Sequence, residues 1–151
     1  EKKKEKLRIL LMWIQRRITI DKKQKGFHLI TDQVLNQIPE INKIHIGLLH
    51  LFILHTSASI TLNENMDKTV RDDFESYFDH LVPENQPYFK HVYEGSDDMP
   101  SHLKSSILGS SIFIPISNSC LQLGTWQGIY LCEHRKHAPK RNMILTIQGE
   151  K

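Results

Sequence analysis

The sequence predicts an α+β fold with mostly antiparallel strands, and three observations support this. Short apolar or alternating runs recur between turn residues, as they do in strands connected by hairpins. One segment in the middle of the chain repeats its apolar residues every three or four positions, as an amphipathic helix does. The predicted helices are scattered among the strands, which is typical of the α+β class.

The first half of the chain contains three predicted strands and one short helix. Thr31 or Asp32 can cap the helix, which ends at Ile38 because Pro39 follows. The strand that starts at residue 47 is apolar almost throughout, so we expect it to be buried. The predicted strands are Met12–Ile20, Gly47–Leu54 and Ala58–Leu62.

The clearest helix is predicted over Asp67–Val82. Its apolar residues share one face, Asp67 can cap its first turn, and Pro83 ends it. A shorter helix is predicted over Ser101–Leu108, after a proline and before a glycine. The apolar face of the longer helix consists of Val70, Phe74, Tyr77, Phe78 and Leu81.

The last third of the chain predicts a meander of four short strands. Between the second and third strands, two glycines flank a tryptophan and a glutamine. Glycine in a strand pattern indicates a bulge or the close approach of a backbone or a ligand, so Gln127 is a candidate binding residue. We expect Trp126 to fill the core of a tight hairpin. The predicted strands are Ser111–Ile116, Cys120–Leu123, Ile129–Cys132 and Met143–Ile147.

Charge and composition argue against several classes of function. Residues 1–8 carry five of the 20 basic and two of the 17 acidic residues, so the rest of the chain is neutral, unlike a nucleic-acid-binding surface. No run of 18 apolar residues could span a membrane. Cys120 and Cys132 lie in apolar runs and do not suggest a disulfide framework. We therefore expect a reducing compartment, the cytoplasm.

The segment from His91 to His102 concentrates side chains that bind metals. It reads H-V-Y-E-G-S-D-D-M-P-S-H and sets two histidines, one glutamate and two aspartates around a glycine and a proline. Imidazole and carboxylate groups hold divalent ions and can leave one position open for chemistry. The alternative is a solvated loop with incidental histidines, since the chain has nine His in all.

His55 is a second candidate, because it stands where a buried strand is predicted to end and a side chain can reach a cleft. The alternative is a histidine whose ring only forms hydrogen bonds with the backbone. The serines near His55 and Lys104 match neither G-x-S-x-G nor S-x-x-K, which argues against a serine hydrolase. No P-loop or G-x-G-x-x-G pattern is present.

Seven motifs follow one another along the chain. They are G-F-H-L-I-T (26–31), H-T-S-A-S-I-T-L-N-E-N (55–65), V-R-D-D-F (70–74), L-V-P-E (81–84), M-P-S-H-L-K-S-S-I-L-G (99–109), G-T-W-Q-G-I-Y-L-C-E-H-R (124–135) and Q-G-E (148–150). In these motifs the chain resembles the YjbQ-like family, also called the secondary thiamine-phosphate synthase family. The resemblance indicates a lysine-rich N-terminal extension at residues 1–11 and a single domain at residues 12–151.

The resemblance implies a β-sandwich-like core and a homotrimer whose candidate site lies near the subunit contacts. The activity it implies is a weak thiamine-phosphate synthase reaction, which joins a pyrimidine pyrophosphate to a thiazole phosphate and releases pyrophosphate. Two alternatives stay open: a non-catalytic trimer that binds a metal or a phosphorylated metabolite, and a metal-dependent hydrolase.

The resemblance also implies which residues form the site. We expect His55, His91 and His102 to bind a divalent metal, with zinc favoured and magnesium or manganese as alternatives. A phosphorylated small-molecule substrate would meet a second group of polar side chains. In that group, Glu64 and Glu94 are candidate acids or bases, Gln127 and Arg135 complete the catalytic set, and Lys104 and Asn65 bind the ligand.

Overall fold

The alternating segments form two antiparallel sheets in the computed structural model, which describes residues 10–151. The strands are β1 (Leu11–Ile20), β2 (Gly26–Leu29), β3 (Ile46–Ile53), β4 (Ala58–Glu64), β5 (Ser111–Ser117), β6 (Cys120–Leu121), β7 (Gln127–Glu133) and β8 (Arg141–Glu150). The helices are α1 (Thr31–Leu35), α2 (Lys68–Leu81) and α3 (Asp98–Leu108), and a 3-10 helix spans Pro39–Lys43.

The two sheets share one core. The larger sheet has the order β1-β8-β3-β5-β6 and the smaller has the order β2-β7-β4, with every neighbouring pair antiparallel. Alternate residues of each sheet point inward and are fully buried, so the apolar area removed from water holds the sandwich together. The larger sheet contributes Ile18, Leu49, Leu51, Ile114, Leu145 and Ile147 to this core, and the smaller sheet contributes Ile60, Ile129 and Leu131.

A second apolar cluster covers the outer face of the smaller sheet. Phe27 of β2 and Tyr130 of β7 pack there against Phe74 and Phe78 of α2. Strand β7 is therefore buried on both faces, which explains why its sequence is apolar without alternation. This packing fixes α2 against the sheet.

The fold class is confirmed, as are most of the predicted elements. The strand β2 was not predicted, because four residues without alternation leave no period to detect. The helix that was predicted to reach Ile38 ends at Leu35 and is followed by the 3-10 helix. The helix α3 begins at Asp98 instead of Ser101, because Pro100 fits in a first turn.

The N-terminal extension and the absence of membrane spans were also predicted from the sequence. Residues 1–9 of the predicted lysine-rich extension lie outside the described residues, and Leu11 is the first residue of β1. No helix between residues 10 and 151 has the length and apolar character that crossing a membrane requires.

Candidate functional site

The start of α3 gathers the metal-binding side chains predicted from the segment 91–102. Asp98, the first residue of the helix, is only 2% exposed. Its Oδ2 lies 2.5 Å from Nε2 of His91 and 3.0 Å from Nε2 of His102. The three candidate ligand atoms of these residues all lie within 4.8 Å of one another. His102 lies four positions after Asp98, so both side chains project from one face of the helix.

A backbone carbonyl fixes the orientation of the His102 ring. Nδ1 of His102 lies 2.8 Å from the carbonyl oxygen of Thr56, which can only accept, so Nδ1 carries a hydrogen. In a neutral ring, Nε2 then presents its lone pair to the Asp98 carboxylate. Histidine ligands of metals are oriented in this way by an outer hydrogen bond.

Arg135 holds the acidic end of α3 from the other side. Its Nε donates to Oδ2 of Asp97 at 3.0 Å, its Nη1 donates to Oδ1 of Asp98, and its Nη2 donates to the carbonyl of Glu94 at 2.9 Å. Burial alone would raise the pKa of Asp98, but hydrogen bonding with His91 and the charge of Arg135 outweigh it and lower that pKa. Asp98 is therefore held as a carboxylate.

Glu94 is the predicted acid or base that lies beside this cluster. Its Oε2 is 3.6 Å from Nε2 of His91, and its side chain is exposed to solvent. A cavity of about 300 Å³ opens next to His91, with Phe89 and Met99 among its walls. Gly95, the residue after Glu94, lines this cavity, whereas the Glu94 side chain does not.

His55 lies outside this cluster. Its Nε2 accepts a hydrogen bond of 2.8 Å from the backbone amide of Asn142. Burial and the charge of Arg141 lower the pKa of His55, so the ring is neutral near pH 7. The structure thus brings together two of the three predicted metal-binding histidines and puts Asp98 beside them, while the backbone satisfies His55.

Lys104, predicted to bind the phosphorylated substrate, is buried in an ion pair. Its Nζ lies 2.5 Å from Oδ1 of Asp79, and Lys25 donates to the same carboxylate at 2.8 Å. Burial would raise the pKa of Asp79, but these two lysines outweigh it and lower the pKa. Lys104 therefore joins α3 to α2, and its positive charge is already paired with the Asp79 carboxylate.

Three other predicted residues shape the loops around the far end of β4. The Glu64 carboxylate accepts hydrogen bonds from the backbone amides of Met66 and Asp67. Asn65 donates to the carbonyls of Thr125 and Gln127, and the Gln127 side chain accepts from the Gly124 amide. Asn65 and Gln127 also line an open cleft of about 360 Å³.

The expectations for the glycine-flanked hairpin need correction. Trp126 does not fill the core, because 60% of its surface is exposed. A Cβ on Gly128 would come within 2.6 Å of Leu29, so the close approach that this glycine permits is to a neighbouring side chain.

The predicted site residues therefore fall into two groups. In the pairing of β4 with β7, Glu64 lies opposite Gln127 at one end, and Ala58 lies opposite Glu133 at the other. Six residue steps along a strand separate these ends by roughly 20 Å. Arg135 and the His91–Asp98–His102 cluster lie at the second end, so the two groups cannot contact one small substrate within one subunit.

Sequence reasoning missed several buried polar pairs near the cluster. Arg141 donates to both oxygens of the Glu133 carboxylate, at 2.7 and 2.6 Å, and this bidentate contact fixes the geometry of the pair. His134 and the Ser59 hydroxyl share a hydrogen bond of 2.8 Å in the interior. Only the placement of polar residues in an apolar strand could have signalled these pairs.

Comparison with known proteins places the chain in one family. The profile of the family described as UPF0047 protein YjbQ-like matches residues 16–150. The chain is 55% identical over 139 residues to the UPF0047 protein YjbQ of Escherichia coli O157:H7, covering 92% of this chain and all of that protein. It is 56% identical, over the same shares of both chains, to the YjbQ protein of Salmonella typhimurium.

Solved structures agree with this placement. A YbjQ-like protein of unknown function from Sulfolobus solfataricus P2 is 26% identical and superposes with a TM-score of 0.82, covering 93% of this chain and all of that one. An uncharacterised YjbQ/UPF0047 protein from Clostridium acetobutylicum is 36% identical with a TM-score of 0.73, covering 89% of this chain and 98% of that one. The chain therefore belongs to the UPF0047 YjbQ-like family.

Proposed function

We propose that this protein is a divalent-metal-dependent enzyme whose ion binds to His91, Asp98 and His102. The observation that carries the proposal is the contact between Nε2 of His102 and Oδ2 of Asp98 at 3.0 Å. Because Nδ1 of His102 is engaged by a carbonyl, a neutral ring would set two lone pairs against each other there. A bridging cation, either a proton or a metal ion, removes that repulsion.

The donor set fits zinc best. Two imidazole nitrogens and one carboxylate oxygen form a common zinc environment, whereas magnesium favours oxygen donors alone. Ligands of a tetrahedral zinc lie roughly 3.3 Å apart, and the three candidate atoms lie within 4.8 Å of one another, so small side-chain rotations suffice. Thr56 and Arg135 would orient His102 and Asp98 from outside.

The reaction that we propose first is the joining of a pyrimidine pyrophosphate to a thiazole phosphate. The thiazole nitrogen would form a bond to the pyrimidine methylene carbon as the carbon–oxygen bond to pyrophosphate breaks, and pyrophosphate would leave with the electron pair. A bound metal ion would supply positive charge for that leaving group. Glu94, exposed beside His91, is the residue best placed to hold a proton near the cavity.

The proposal also includes a homotrimer and a reducing, cytoplasmic setting. A trimer would offer a way for the Glu64, Asn65 and Gln127 end of one subunit to meet the metal-binding end of another. The setting is supported by the thiols of Cys120 and Cys132, which are both free.

Removing a metal ligand tests the first part of the proposal. We expect wild-type protein to retain a stoichiometric amount of zinc after dialysis, and we expect Asp98→Asn and His102→Gln to lose most of it, since each removes or neutralises a donor. Elemental analysis of the purified proteins provides the measurement. His80→Gln is the matched control, because His80 is an exposed histidine on α2 outside the cluster. Equal zinc content in all four proteins would contradict the proposed site.

The same proteins, assayed after the same treatment with zinc, then test the reaction. Wild type and His80→Gln should form thiamine phosphate from the two precursors, and both ligand variants should lose most of this activity. Zinc binding without product would reject the synthase reaction and leave the binding protein or the hydrolase, which a screen with phosphate and carboxylate esters separates.

A further inference from the structure

A second, charged cleft lies between β2 and α2, apart from the proposed metal ligands. It has a volume of about 450 Å³ and contains none of His91, Asp98 or His102 in its walls. Its charged lining consists of Lys23, Lys25, Lys68, Arg71, Asp72 and Glu75. The surplus of cations is notable because residues 9–151 as a whole are neutral.

One of the two acidic residues in the lining, Glu75, is already paired, and its partner is Lys25. Lys25 donates to Glu75 at 3.1 Å and to Asp79 at 2.8 Å. By contrast, no carboxylate among residues 10–151 lies within 4.0 Å of the charged nitrogens of Lys23, Lys68 or Arg71. Three cations thus share one cleft with the single unpaired carboxylate of Asp72, and none of the three forms an ion pair with it or with any other described residue.

Arg71 gives the strongest sign that an anion is missing. Its Nη1 atom is buried and has no hydrogen-bond partner among the described residues, although buried donors are almost always paired. The guanidinium lies near the hydroxyl of Tyr130: burial raises the pKa of that hydroxyl overall, while hydrogen bonding with Arg71 and the positive charge of Arg71 oppose the rise. The Tyr130 hydroxyl donates to the carbonyl of Glu64, which leaves its oxygen free to accept from Arg71.

We propose that this cleft binds the phosphate group of a small phosphorylated metabolite. A guanidinium group and two ammonium groups in one lining match the oxygens of a phosphate in charge and in hydrogen-bonding capacity. The volume exceeds that of one phosphate, which leaves room for an organic part. Lys104, assigned to ligand binding from the sequence, and Arg135, assigned to the catalytic set, are instead engaged by Asp79, Asp97 and Asp98.

The inference stands independently of the proposed metal-dependent reaction. The cleft residues and the metal ligands do not overlap, so phosphate binding can be measured on protein freed of metal by a chelator. Failure of zinc binding would leave this proposal intact, and failure of phosphate binding would leave the metal site intact.

Titration calorimetry with inorganic pyrophosphate tests the proposal. Wild type should bind pyrophosphate, and Arg71→Gln should weaken binding by about tenfold or more, because it removes a charge-assisted hydrogen bond. Lys68→Gln, which changes an exposed residue, provides a second variant with an expected loss in the same direction. Binding should also weaken as salt is added, since charges are screened.

Lys22→Gln is the matched control, because it removes one positive charge next to the cleft from an exposed residue outside its lining. It should change the affinity by less than about twofold. The proposal is overturned if wild type shows no binding at millimolar pyrophosphate, or if Arg71→Gln and Lys22→Gln bind alike. Thermal melting without ligand gives a further check. Arg71→Met should not lower the melting midpoint if Arg71 serves to bind an anion, whereas the substitution should lower it if the role of Arg71 is purely structural.

Discussion

His134 shows at the residue scale how burial controls ionisation. Its side chain is almost fully buried, and its ring shares a hydrogen bond with the Ser59 hydroxyl. Burial, reinforced by the positive charges of Lys104, Lys25 and Arg141, lowers the pKa of His134 to about 3. The ring is therefore neutral in the folded protein at every pH near neutrality.

The lowered pKa of His134 predicts a loss of stability in acid. The unfolded chain takes up the proton below its ordinary pKa of 6.5, whereas the folded protein does so only near pH 3, so stability falls as pH drops through that interval. Between pH 7 and pH 5 this one group should cost ~2 kcal/mol of unfolding free energy. We expect His134→Gln to lose correspondingly less stability than wild type over that range, as measured by urea denaturation.

His137→Gln is the control for this measurement, because His137 is exposed and a few residues away. It should retain the pH dependence of wild type. If His134→Gln and wild type lose stability in parallel, the acid sensitivity arises from other groups.

At the scale of the element, α2 is stabilised by the N-terminal cap Asp67, which was predicted from the sequence. Asp67 accepts hydrogen bonds from the backbone amide and the hydroxyl of Thr69, at 2.9 and 2.7 Å. The amide is one of the donors that the first turn of a helix leaves without a partner. The same helix carries Arg71 and Lys68 of the proposed phosphate-binding cleft and Asp79 of the ion pair with Lys104.

Loss of this cap should destabilise the protein by an ordinary amount. Asp67→Ala removes the acceptor and should lower the free energy of unfolding by about 1 kcal/mol. Asp67→Asn keeps an acceptor oxygen and should lower it by less. Denaturation midpoints of the two variants and wild type measure these losses. Equal losses of stability in both variants would show that the capping hydrogen bond is not the source of the stabilisation.

Element boundaries also show where sequence patterns succeed and fail. The long amphipathic helix and the buried strands were predicted because their apolar periods extend over several turns or residues. The strand β2 and the first turn of α3 were not, because one is four residues long and the other contains a proline. Their positions follow from pairing with β7 and from the anchoring of Asp97 and Asp98 by Arg135.

At the scale of the whole molecule, the outer face of the larger sheet leaves apolar side chains uncovered. Trp13 of β1 and Phe113 of β5 are 67% and 63% exposed, and Leu48 of β3 lies between them. His50 packs on Phe113 with ring centroids 4.6 Å apart. Apolar faces of this kind are typical of protein–protein contacts, in keeping with the proposed homotrimer.

Charges placed on this face should disrupt the proposed trimer. We expect Trp13→Glu and Phe113→Glu to shift the assembly toward monomer, because a carboxylate cannot be buried without a partner. Light scattering after size-exclusion chromatography measures the mass. Tyr77→Glu on α2, another exposed aromatic position, is the control and should leave the mass unchanged. A wild-type monomer, or a trimer in every variant, would contradict the assignment of this face.

The sequence by itself determined the fold class, most of the strands, the long helix and the ligand-rich segment from His91 to His102. These features are local: they depend on the period of apolar residues and on the residue types within one stretch of chain. The tertiary structure decided which polar groups meet. It paired Lys104 with Asp79, satisfied His55 with a backbone amide, and placed Asp98 between two histidines. The first two of these pairings join residues far apart in the chain, and burial selects among many possible partners, so no local pattern specifies them.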